Sequence, residues 1–271
     1  MISVILGIFT RIISNSYLNV FQKLLTNKGE RPSAINFYTY LGISLISLCL
    51  IPSFVFNKTI LANVIIMGIL GSLGNYYIIK ALSCGELSTL APINSYKPVV
   101  ALILGIFLLH EIPQLSDLIG IILIILGTCF LTNAKFIATK ACFYRILALV
   151  FSGAEAIFIK KVILLSNIST AFIYWALAGL FFSFLITIKN PPKISNFRPQ
   201  LALIAMVALM QYSTNYVFSK INVAHALALF QLSTILSVFL GVNIFNEKNL
   251  IRKLIASIIM LIGAILVIHP G

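Results

Sequence analysis

Residues 83–131 have the sequence SCGELSTLAPINSYKPVVALILGIFLLHEIPQLSDLIGIILIILGTCFL, and residues 220–268 have the sequence KINVAHALALFQLSTILSVFLGVNIFNEKNLIRKLIASIIMLIGAILVI. In each stretch a long apolar run ends at a glutamate, Glu111 or Glu247, and a short polar break precedes another apolar run. Aligning the two glutamates superposes two pairs of glycines at the same offset of 136 positions, Gly105 with Gly241 and Gly127 with Gly263. The stretches are therefore predicted to be copies of one unit, in a duplicated membrane protein whose halves form one site between them.

The composition excludes a soluble globular protein. Of the 271 residues, 60% are hydrophobic and 9% are charged, and the mean hydropathy is +1.07, which leaves too little polar surface to face water. The predicted fold is an all-α membrane protein of ten transmembrane helices, with residues 1–135 and 136–271 as two five-helix repeats of a single transport domain. A span needs roughly 20 apolar residues, and polar breaks delimit the ten spans at about 2–24, 33–56, 60–80, 86–109, 115–133, 141–163, 168–188, 200–219, 223–245 and 251–268.

The net charge of +13 indicates topology here, because the basic residues lie at the ends of spans. Nucleic acid is therefore not expected as a partner. Thirteen basic residues fall at odd-numbered connections and four at even-numbered ones, so the positive-inside rule predicts cytoplasmic odd connections and both termini outside. The thirteen are Lys23, Lys28, Arg31, Lys80, Lys135, Lys140, Arg145, Lys189, Lys193, Arg198, Lys248, Arg252 and Lys253. The four are Lys58, Lys160, Lys161 and Lys220.

Three ionisable residues lie near the middle of spans: Arg11, Lys97 and Glu155. A charge at the bilayer centre costs roughly 2.5–3.5 kcal/mol on insertion scales, so such residues usually face a cavity or a partner and are candidates for function. One interpretation is structural: Lys97 and Glu155 form a buried ion pair, and Arg11 bonds to carbonyls of a kinked helix. The other is functional, because two cations and one anion leave a positive charge that an anionic ligand group would neutralise. Glu155 could also bind a coupling proton.

Neutral polar residues recur on the same spans as these charges. On span 1, Arg11 is followed at intervals of four by Asn15 and Asn19, which places them on one helical stripe. On span 4, Pro92 and Pro98 flank Lys97, and proline in a membrane helix frees backbone carbonyls that a cavity can satisfy. The neutral residues predicted to bind substrate are Asn15, Asn75, Tyr76, Asn94, Gln211, Asn215 and Gln231.

Catalysis is not expected. An intramembrane enzyme needs paired carboxylates, a metal-ligand cluster or a nucleophile with a base, and the middles of the spans contain the single carboxylate of Glu155. The four cysteines and three histidines show no metal-ligand spacing, so neither a metal nor another cofactor is predicted. Polar stripes also line pores, so a passive channel stays open as an alternative to a carrier.

The chain resembles the drug/metabolite transporter superfamily, EamA type. The residues that carry the resemblance are GIFLLHE at 105–111 and GVNIFNE at 241–247, each followed by a glycine-containing apolar span, within ten short-looped spans. The resemblance implies two inverted five-helix repeats, a cavity surrounded by spans 1, 3, 4, 6, 8 and 9, and spans 5 and 10 at the edge. It also implies cytoplasmic termini, in contrast to the charge count, and export of amino acids or other small metabolites.

These observations together predict a secondary transporter of the bacterial inner membrane, working by alternating access on a small-molecule substrate within the lipid bilayer. The substrate is expected to be an amino acid or another solute that bears a carboxylate or phosphate. Arg11 and Lys97 would hold its anionic group, the neutral residues would bond the remainder, and Glu155 would bind its amine or a coupling proton. A carrier of an organic cation, such as a quaternary amine, is the alternative.

Overall fold

The computed structural model describes residues 2–50, 57–97, 99–100, 103, 115–132, 139–221 and 223–266, and their regular secondary structure is entirely helical. This agrees with the predicted all-α class. Glu111 and Gly105 lie outside the described residues. The elements are α1 Ile2–Asn27, α2 Pro32–Ser47, α3 Lys58–Cys84, α4 Leu87–Leu90, a 3₁₀ helix Ala91–Tyr96, α5 Leu115–Thr132, α6 Lys140–Leu165, α7 Ile168–Thr187, α8 Phe197–Lys220, α9 Val223–Phe230, α10 Leu232–Phe245 and α11 Leu250–Leu266.

Polar side chains mark where several of these helices begin. Asn57, Thr139 and Asn167 occupy the N-cap positions of α3, α6 and α7, and their side-chain oxygens accept hydrogen bonds from backbone N–H groups three residues later, at 2.7, 3.3 and 2.8 Å. These bonds satisfy donors that a helix leaves unpaired at its start. Short polar connections of this kind set each helix against its neighbour.

The fourth and ninth predicted spans are discontinuous at equivalent positions. α4 passes directly into the 3₁₀ helix, which contains Pro92 and ends just before Lys97. α9 and α10 are separated at Gln231, where backbone bonds of the i to i+3 type replace the α-helical pattern. Gln231 corresponds to Ser95 at the offset of 136 positions. Paired broken helices in the two halves of a chain are characteristic of the binding sites of secondary transporters.

Helices of the first half of the chain pack directly against helices of the second half. α1 lies on α8 and α3 lies on α6, while α2 lies on α7 and α5 on α11. One pair of duplicated glycines, Gly127 and Gly263, lies where α5 crosses α11. A Cβ atom at Gly127 would lie 2.5 Å from Met260 Cγ, and one at Gly263 would lie 2.6 Å from the carbonyl oxygen of Gly120. Both positions therefore require glycine for the close approach of α5 and α11.

The repeated glutamate of the second half has a structural role at the start of α4. The Glu247 carboxylate accepts hydrogen bonds at 2.8 Å from the backbone N–H groups of both Leu87 and Ser88, and a further one from the Ser88 hydroxyl. A Cβ atom at Gly241 would lie 3.0 Å from Glu247 Oε2, so the glycine leaves room for the carboxylate. The glycine and glutamate of this motif thus join α10 to the first turn of the broken fourth span.

Lys253 completes this contact, and we call Lys253, Glu86, Ser88 and Glu247 the Lys253 cluster. Its ammonium donates to Glu86 Oε2 and Ser88 Oγ, each at 2.6 Å, and lies 4.0 Å from Glu247 Oε2. Partial burial by itself would raise the pKa of the Glu86 carboxyl, but the hydrogen bond and charge of Lys253 outweigh it and hold that pKa below its ordinary value.

Two of the basic residues counted at the odd-numbered connections are buried inside the helical bundle. Arg145 lies on α6 and is 3% exposed, and Lys253 lies on α11 and is 5% exposed. The charge count treats these two residues as basic charges at a connection, and their burial shows that they are not exposed there. Each lies within the first two turns of its helix, where that helix packs against another one. Counting the charges at span ends along the sequence does not show this packing.

The outer surface is apolar, as expected for a protein that lipid covers. In the described part of the chain, five helices are long and apolar enough to cross a membrane by length and composition: Ile2–Asn27, Lys58–Cys84, Ile168–Thr187, Phe197–Lys220 and the broken helix Ala226–Phe245. Leu118–Leu131 is a shorter apolar helix. The large hydrophobic side chains exposed on α5 include Leu118, Ile119, Ile122, Ile125 and Leu126.

Candidate functional site

A polar cavity lies between the two halves of the chain. Its volume is about 100 Å³, several times the roughly 10–15 Å³ that one water molecule requires. Side chains from both halves line it, including charged groups that are otherwise rare in this protein. The lining residues are Arg11, Asn15, Leu18, Asn19, Thr39, Tyr40, Gly71, Asn75, Ile78, Asn94, Lys97, Arg145, Ser152, Glu155, Ala156, Ile159, Trp175, Val207, Met210, Gln211, Thr214, Phe218, Leu227 and Phe230.

Arg11 on α1 is the most unusual of these groups. Its side chain is nine-tenths buried, and its Nε and Nη1 atoms have no hydrogen-bond partner. The guanidinium lies 4.9 Å from the ring centroid of Phe230, a cation–π contact that compensates part of the lost hydration. An unsatisfied buried donor costs roughly 1–3 kcal/mol, and more when it is charged, so the burial of Arg11 is not fully compensated by the described residues around it.

Arg145 on α6 supplies a second buried guanidinium that the sequence analysis did not place in the site. Its Nε atom donates to the carbonyl oxygen of Leu90 at 3.1 Å, at the junction between α4 and the 3₁₀ helix. Arg145 and Ser152 are seven residues apart, two turns of one helix face, and both line the cavity. That helical spacing to Ser152 is the signal that could have found Arg145 from the sequence.

Glu155 is the carboxylate of the cavity wall, and it is held by a tryptophan. The indole Nε1 of Trp175, the single tryptophan of the chain, donates to Glu155 Oε1 at 2.6 Å. A Cβ atom at Gly71 would lie 2.3 Å from the same oxygen, so a glycine in α3 allows the carboxylate its position. Tyr40 packs against Trp175 with 5.1 Å between ring centroids, which places two aromatic rings beside the acid.

Lys97 and Glu155 do not form the ion pair that the structural interpretation of the sequence required. Within the described part of the chain, the ion pairs with 4.0 Å or less between charged atoms are those of Lys253. Lys97 follows the 3₁₀ helix and lines the same cavity as Glu155. Its ammonium is repelled by the charges of Arg11 and Arg145 and attracted by that of Glu155, so the four groups act on one another across the cavity.

Amide side chains form short hydrogen-bonded chains around the charged groups. Gln22 donates to Asn75 at 2.9 Å, and Asn75 donates to Asn36 at 2.7 Å. Asn15 donates to the hydroxyl of Ser233 at 2.9 Å. These bonds fix the orientation of Asn15 and Asn75 on the cavity wall, because each amide is held on one side by the protein.

The structure brings seven of the ten residues predicted as substrate-binding to the cavity wall. These are Arg11, Asn15, Asn75, Asn94, Lys97, Glu155 and Gln211. Three others are not among the lining residues. Tyr76 packs against Tyr77 with 5.3 Å between centroids, Asn215 is fully buried and accepts from Gln211 at 2.9 Å, and Gln231 donates to the Leu227 carbonyl at 3.0 Å where the ninth span breaks.

Comparisons with known proteins agree with this architecture. The model of the EamA-like transporter family matches residues 2–133 and, a second time, residues 139–269. An uncharacterized protein of Methanocaldococcus jannaschii is 34% identical over 76 residues, which are 28% of this chain and 56% of that protein, so the match spans little more than half of this relative. A solved crystal structure superposes with a TM-score of 0.69 at 17% identity, over 98% of this chain and 96% of the other. That likeness concerns the fold.

Proposed function

The chain belongs to the EamA-like transporter family, and on this premise we propose that it is a secondary transporter of a small polar metabolite in the bacterial inner membrane. The metabolite bears a carboxylate or phosphate, as amino acids do. Ten spans form two inverted five-helix repeats that rock about the cavity, so that it opens to each side of the membrane in turn. The broken fourth and ninth spans lie where the repeats meet and provide the flexible backbone for this motion.

The observation that carries the proposal is the guanidinium of Arg11, buried at the cavity with two nitrogen atoms that lack hydrogen-bond partners. Carboxylates and phosphates present paired acceptor oxygens that match the planar guanidinium. Binding of such a group removes the cost of the unpaired donors. Transport then follows if either rearrangement of the repeats exposes Arg11 to water, since hydration competes with the ligand and releases it.

The remaining lining residues take distinct roles in this proposal. Lys97 adds positive charge to the anion side of the cavity, and Asn15, Asn75, Asn94 and Gln211 form hydrogen bonds with the polar remainder of the substrate. Glu155 binds the amine of a zwitterionic substrate or carries a coupling proton. Members of the family are transporters, so no catalytic role is assigned to these residues.

The test is uptake of radiolabelled amino acids and small carboxylates into proteoliposomes by counterflow. We expect trans-stimulation by unlabelled substrate, which a passive channel does not produce. Arg11→Gln should abolish counterflow while its melting temperature in detergent stays equal to that of the parent or rises, because an unpaired buried charge has been removed. Arg31→Gln, which removes an exposed arginine at the start of α2, is the matched control and should leave both quantities unchanged. Full counterflow by Arg11→Gln would refute the anion role.

A carrier of organic cations is the second candidate, and one observation favours it. The Tyr40 and Trp175 rings lie beside the Glu155 carboxylate, and aromatic rings with an acid form good sites for ammonium groups. Under this alternative Arg11 has a structural role and keeps the cavity open around the Glu155 carboxylate when no substrate is bound. Counterflow of a quaternary amine that survives Arg11→Gln and is lost in Glu155→Gln would favour the cation carrier over the anion carrier.

A further inference from the structure

We propose that the substrate is a small dianion, either a short dicarboxylate or a phosphate monoester, and that Arg145 is the residue that selects it over monoanions. This inference rests on the proposed function, because it assumes that the cavity is the transport site. It goes further by assigning the net charge of the solute and by giving a role to Arg145, which the residue pattern alone counts among the charges at a span end.

The charges on the cavity wall do not balance. Three cationic side chains, Arg11, Lys97 and Arg145, line it together with one carboxylate, that of Glu155. Even complete neutralisation of Lys97 by Glu155 leaves two guanidinium groups. A buried charge without a counter-charge is strongly destabilising, and both arginines are at least nine-tenths buried. A bound solute with two negative charges removes this imbalance, and a solute with one negative charge leaves half of it.

The two arginines are held in different ways, which suits two separate anionic centres. Arg11 extends from α1 over the Phe230 ring and forms no hydrogen bond through Nε or Nη1. Arg145 comes from α6, in the other half of the chain, and its Nε is fixed by the Leu90 carbonyl. That bond leaves the terminal nitrogens of Arg145 as its ligand-binding edge. A doubly charged solute therefore contacts both halves of the protein at once, through one arginine of each.

The contact between Arg145 and Leu90 also connects the charge of the solute to the broken span. Leu90 is the last residue of α4 and precedes the 3₁₀ helix that leads to Lys97. A second anionic group at Arg145 therefore bonds to a side chain already fixed to this junction, whereas a monoanion has no second group to place there. Dianion binding and the geometry of the fourth span are coupled through a single residue.

The cavity volume limits the size of such a solute. At about 100 Å³, the cavity admits a compound with few carbon atoms, and it excludes nucleotides and other large phosphorylated compounds in this conformation. Dicarboxylates and phosphate monoesters of two to four carbons share the required chemistry, and matched probes distinguish between them.

The experiment measures binding to the purified full-length protein by the concentration dependence of thermal stabilisation, at pH 7.5, with two matched pairs of probes. Succinate is compared with butyrate, and glycerol 3-phosphate with its methyl phosphodiester, so that each pair differs mainly in the second negative charge. We expect the dianion of at least one pair to bind at least about tenfold more tightly than its monoanion, about 1.4 kcal/mol. Arg145→Gln should reduce that preference to about twofold or less, while Arg145→Lys should retain most of it.

The outcomes separate the two proposals. If a monoanion binds as tightly as its matched dianion, or if Arg145→Gln weakens both equally, the dianion inference is overturned and the anion transporter stands. If no probe of either charge binds, the dianion inference is overturned, and counterflow of amino acids decides the anion transporter separately. The comparison of probes on the unmodified protein decides the question even if Arg145→Gln does not fold.

Discussion

At the scale of single residues, Glu155 combines two features that rarely occur together. It is a carboxylate in the middle of an apolar bundle, yet its contacts are a neutral indole, Trp175, and the backbone at Gly71 rather than a basic side chain. A carboxylate with a neutral donor can lose its charge without breaking an ion pair. That makes Glu155 suitable for binding and releasing a proton or an amine during transport.

Glu155→Gln tests this role with little change of volume. The amide oxygen can still accept from Trp175, so we expect unchanged expression and a melting temperature close to that of the parent. Because the charge is gone, uptake driven by an imposed pH gradient should fall at least about tenfold, equivalent to roughly 1.4 kcal/mol. Lys189→Gln, which removes one charge from an exposed lysine just after the end of α7, controls for a general effect of altered charge. Uptake by Glu155→Gln with the pH dependence of the parent would return Glu155 to a structural role.

The sequence reveals some of these residues and not others for a physical reason. Arg11, Lys97 and Glu155 stand out because a charge within a long apolar run has few stable environments. Arg145 lies six positions into α6 and looks like an ordinary charge at a span end. Trp175 is apolar enough to suit any membrane helix, and its hydrogen bond depends on the packing of α7 against α3 and α6, which no local pattern encodes.

At the scale of elements, the two broken spans show which interruptions of a helix a local sequence pattern can predict. Pro92 and Pro98 predict the interruption of the fourth span, since proline removes a helical hydrogen bond. The ninth span breaks at Gln231 without any proline. Its break follows from the duplication, because the equivalent position in the first half is Ser95, within the 3₁₀ helix. Comparison of the two halves therefore predicts more than the composition of either one.

Gly263→Ala tests the close crossing of α5 and α11. The new Cβ would lie 2.6 Å from the Gly120 carbonyl oxygen, a backbone atom that moves only if the helices separate. We expect destabilisation of about 1–3 kcal/mol, typical of overpacking, seen as a lower melting temperature in detergent. Gly153→Ala on α6 is the control, because its Cβ would come no closer than 3.3 Å to a side-chain atom. A similar stability for both variants would contradict the predicted tight crossing.

Lys253→Met tests the Lys253 cluster and its dependence on pH. The pKa of Glu86 is below its ordinary value of 4.5 in the folded protein, despite partial burial, because of Lys253. The stabilisation is therefore complete above that ordinary value and is lost as the pH falls through the folded-state pKa. We expect Lys253→Met to lower stability at pH 7 by about 1.5–3 kcal/mol, mostly from the buried bond to Ser88.

The pH profile distinguishes this interpretation from a simple packing defect. The melting temperature of the parent should decrease as the pH falls from about 5 toward 3, and that of Lys253→Met should change less over the same range. Lys248→Met, which removes an exposed lysine on the connection just before α11, should keep the profile of the parent. Parallel profiles for the parent and Lys253→Met would show that the Glu86 carboxylate contributes nothing to stability.

At the scale of the whole molecule, the duplication extends to individual hydrogen bonds. Lys23 on α1 donates to the carbonyls of Leu82 and Gly85, both at 2.8 Å, where α3 ends. Lys160 on α6 donates to the carbonyls of Phe218 and Ile221, where α8 ends. The acceptors correspond at the offset of 136 positions and the lysines at 137. Cations at the carbonyl end of a helix are favourable in themselves, so both lysines have local structural roles.

Those roles change how the charge asymmetry is counted. Lys23, Arg145, Arg252 and Lys253 on one side, and Lys160 on the other, donate hydrogen bonds to backbone carbonyls or to Glu86. Removing them from the thirteen and the four leaves nine against three. The bias toward the odd-numbered connections is preserved. We therefore predict that these connections face the cytoplasm and that both termini lie outside, against the expectation from the family resemblance.

Single cysteines in the full-length chain test this topology. In a variant whose four cysteines are replaced, Gly271→Cys should react with a membrane-impermeant maleimide in intact cells, whereas Lys248→Cys should react only after the cells are opened. Lys248 is exposed on the connection between α10 and α11, so its labelling depends on sidedness rather than on burial. Counterflow by both variants must match that of the cysteine-free parent. The opposite labelling pattern would place the termini in the cytoplasm, and the nine remaining basic residues would then mark the outer face.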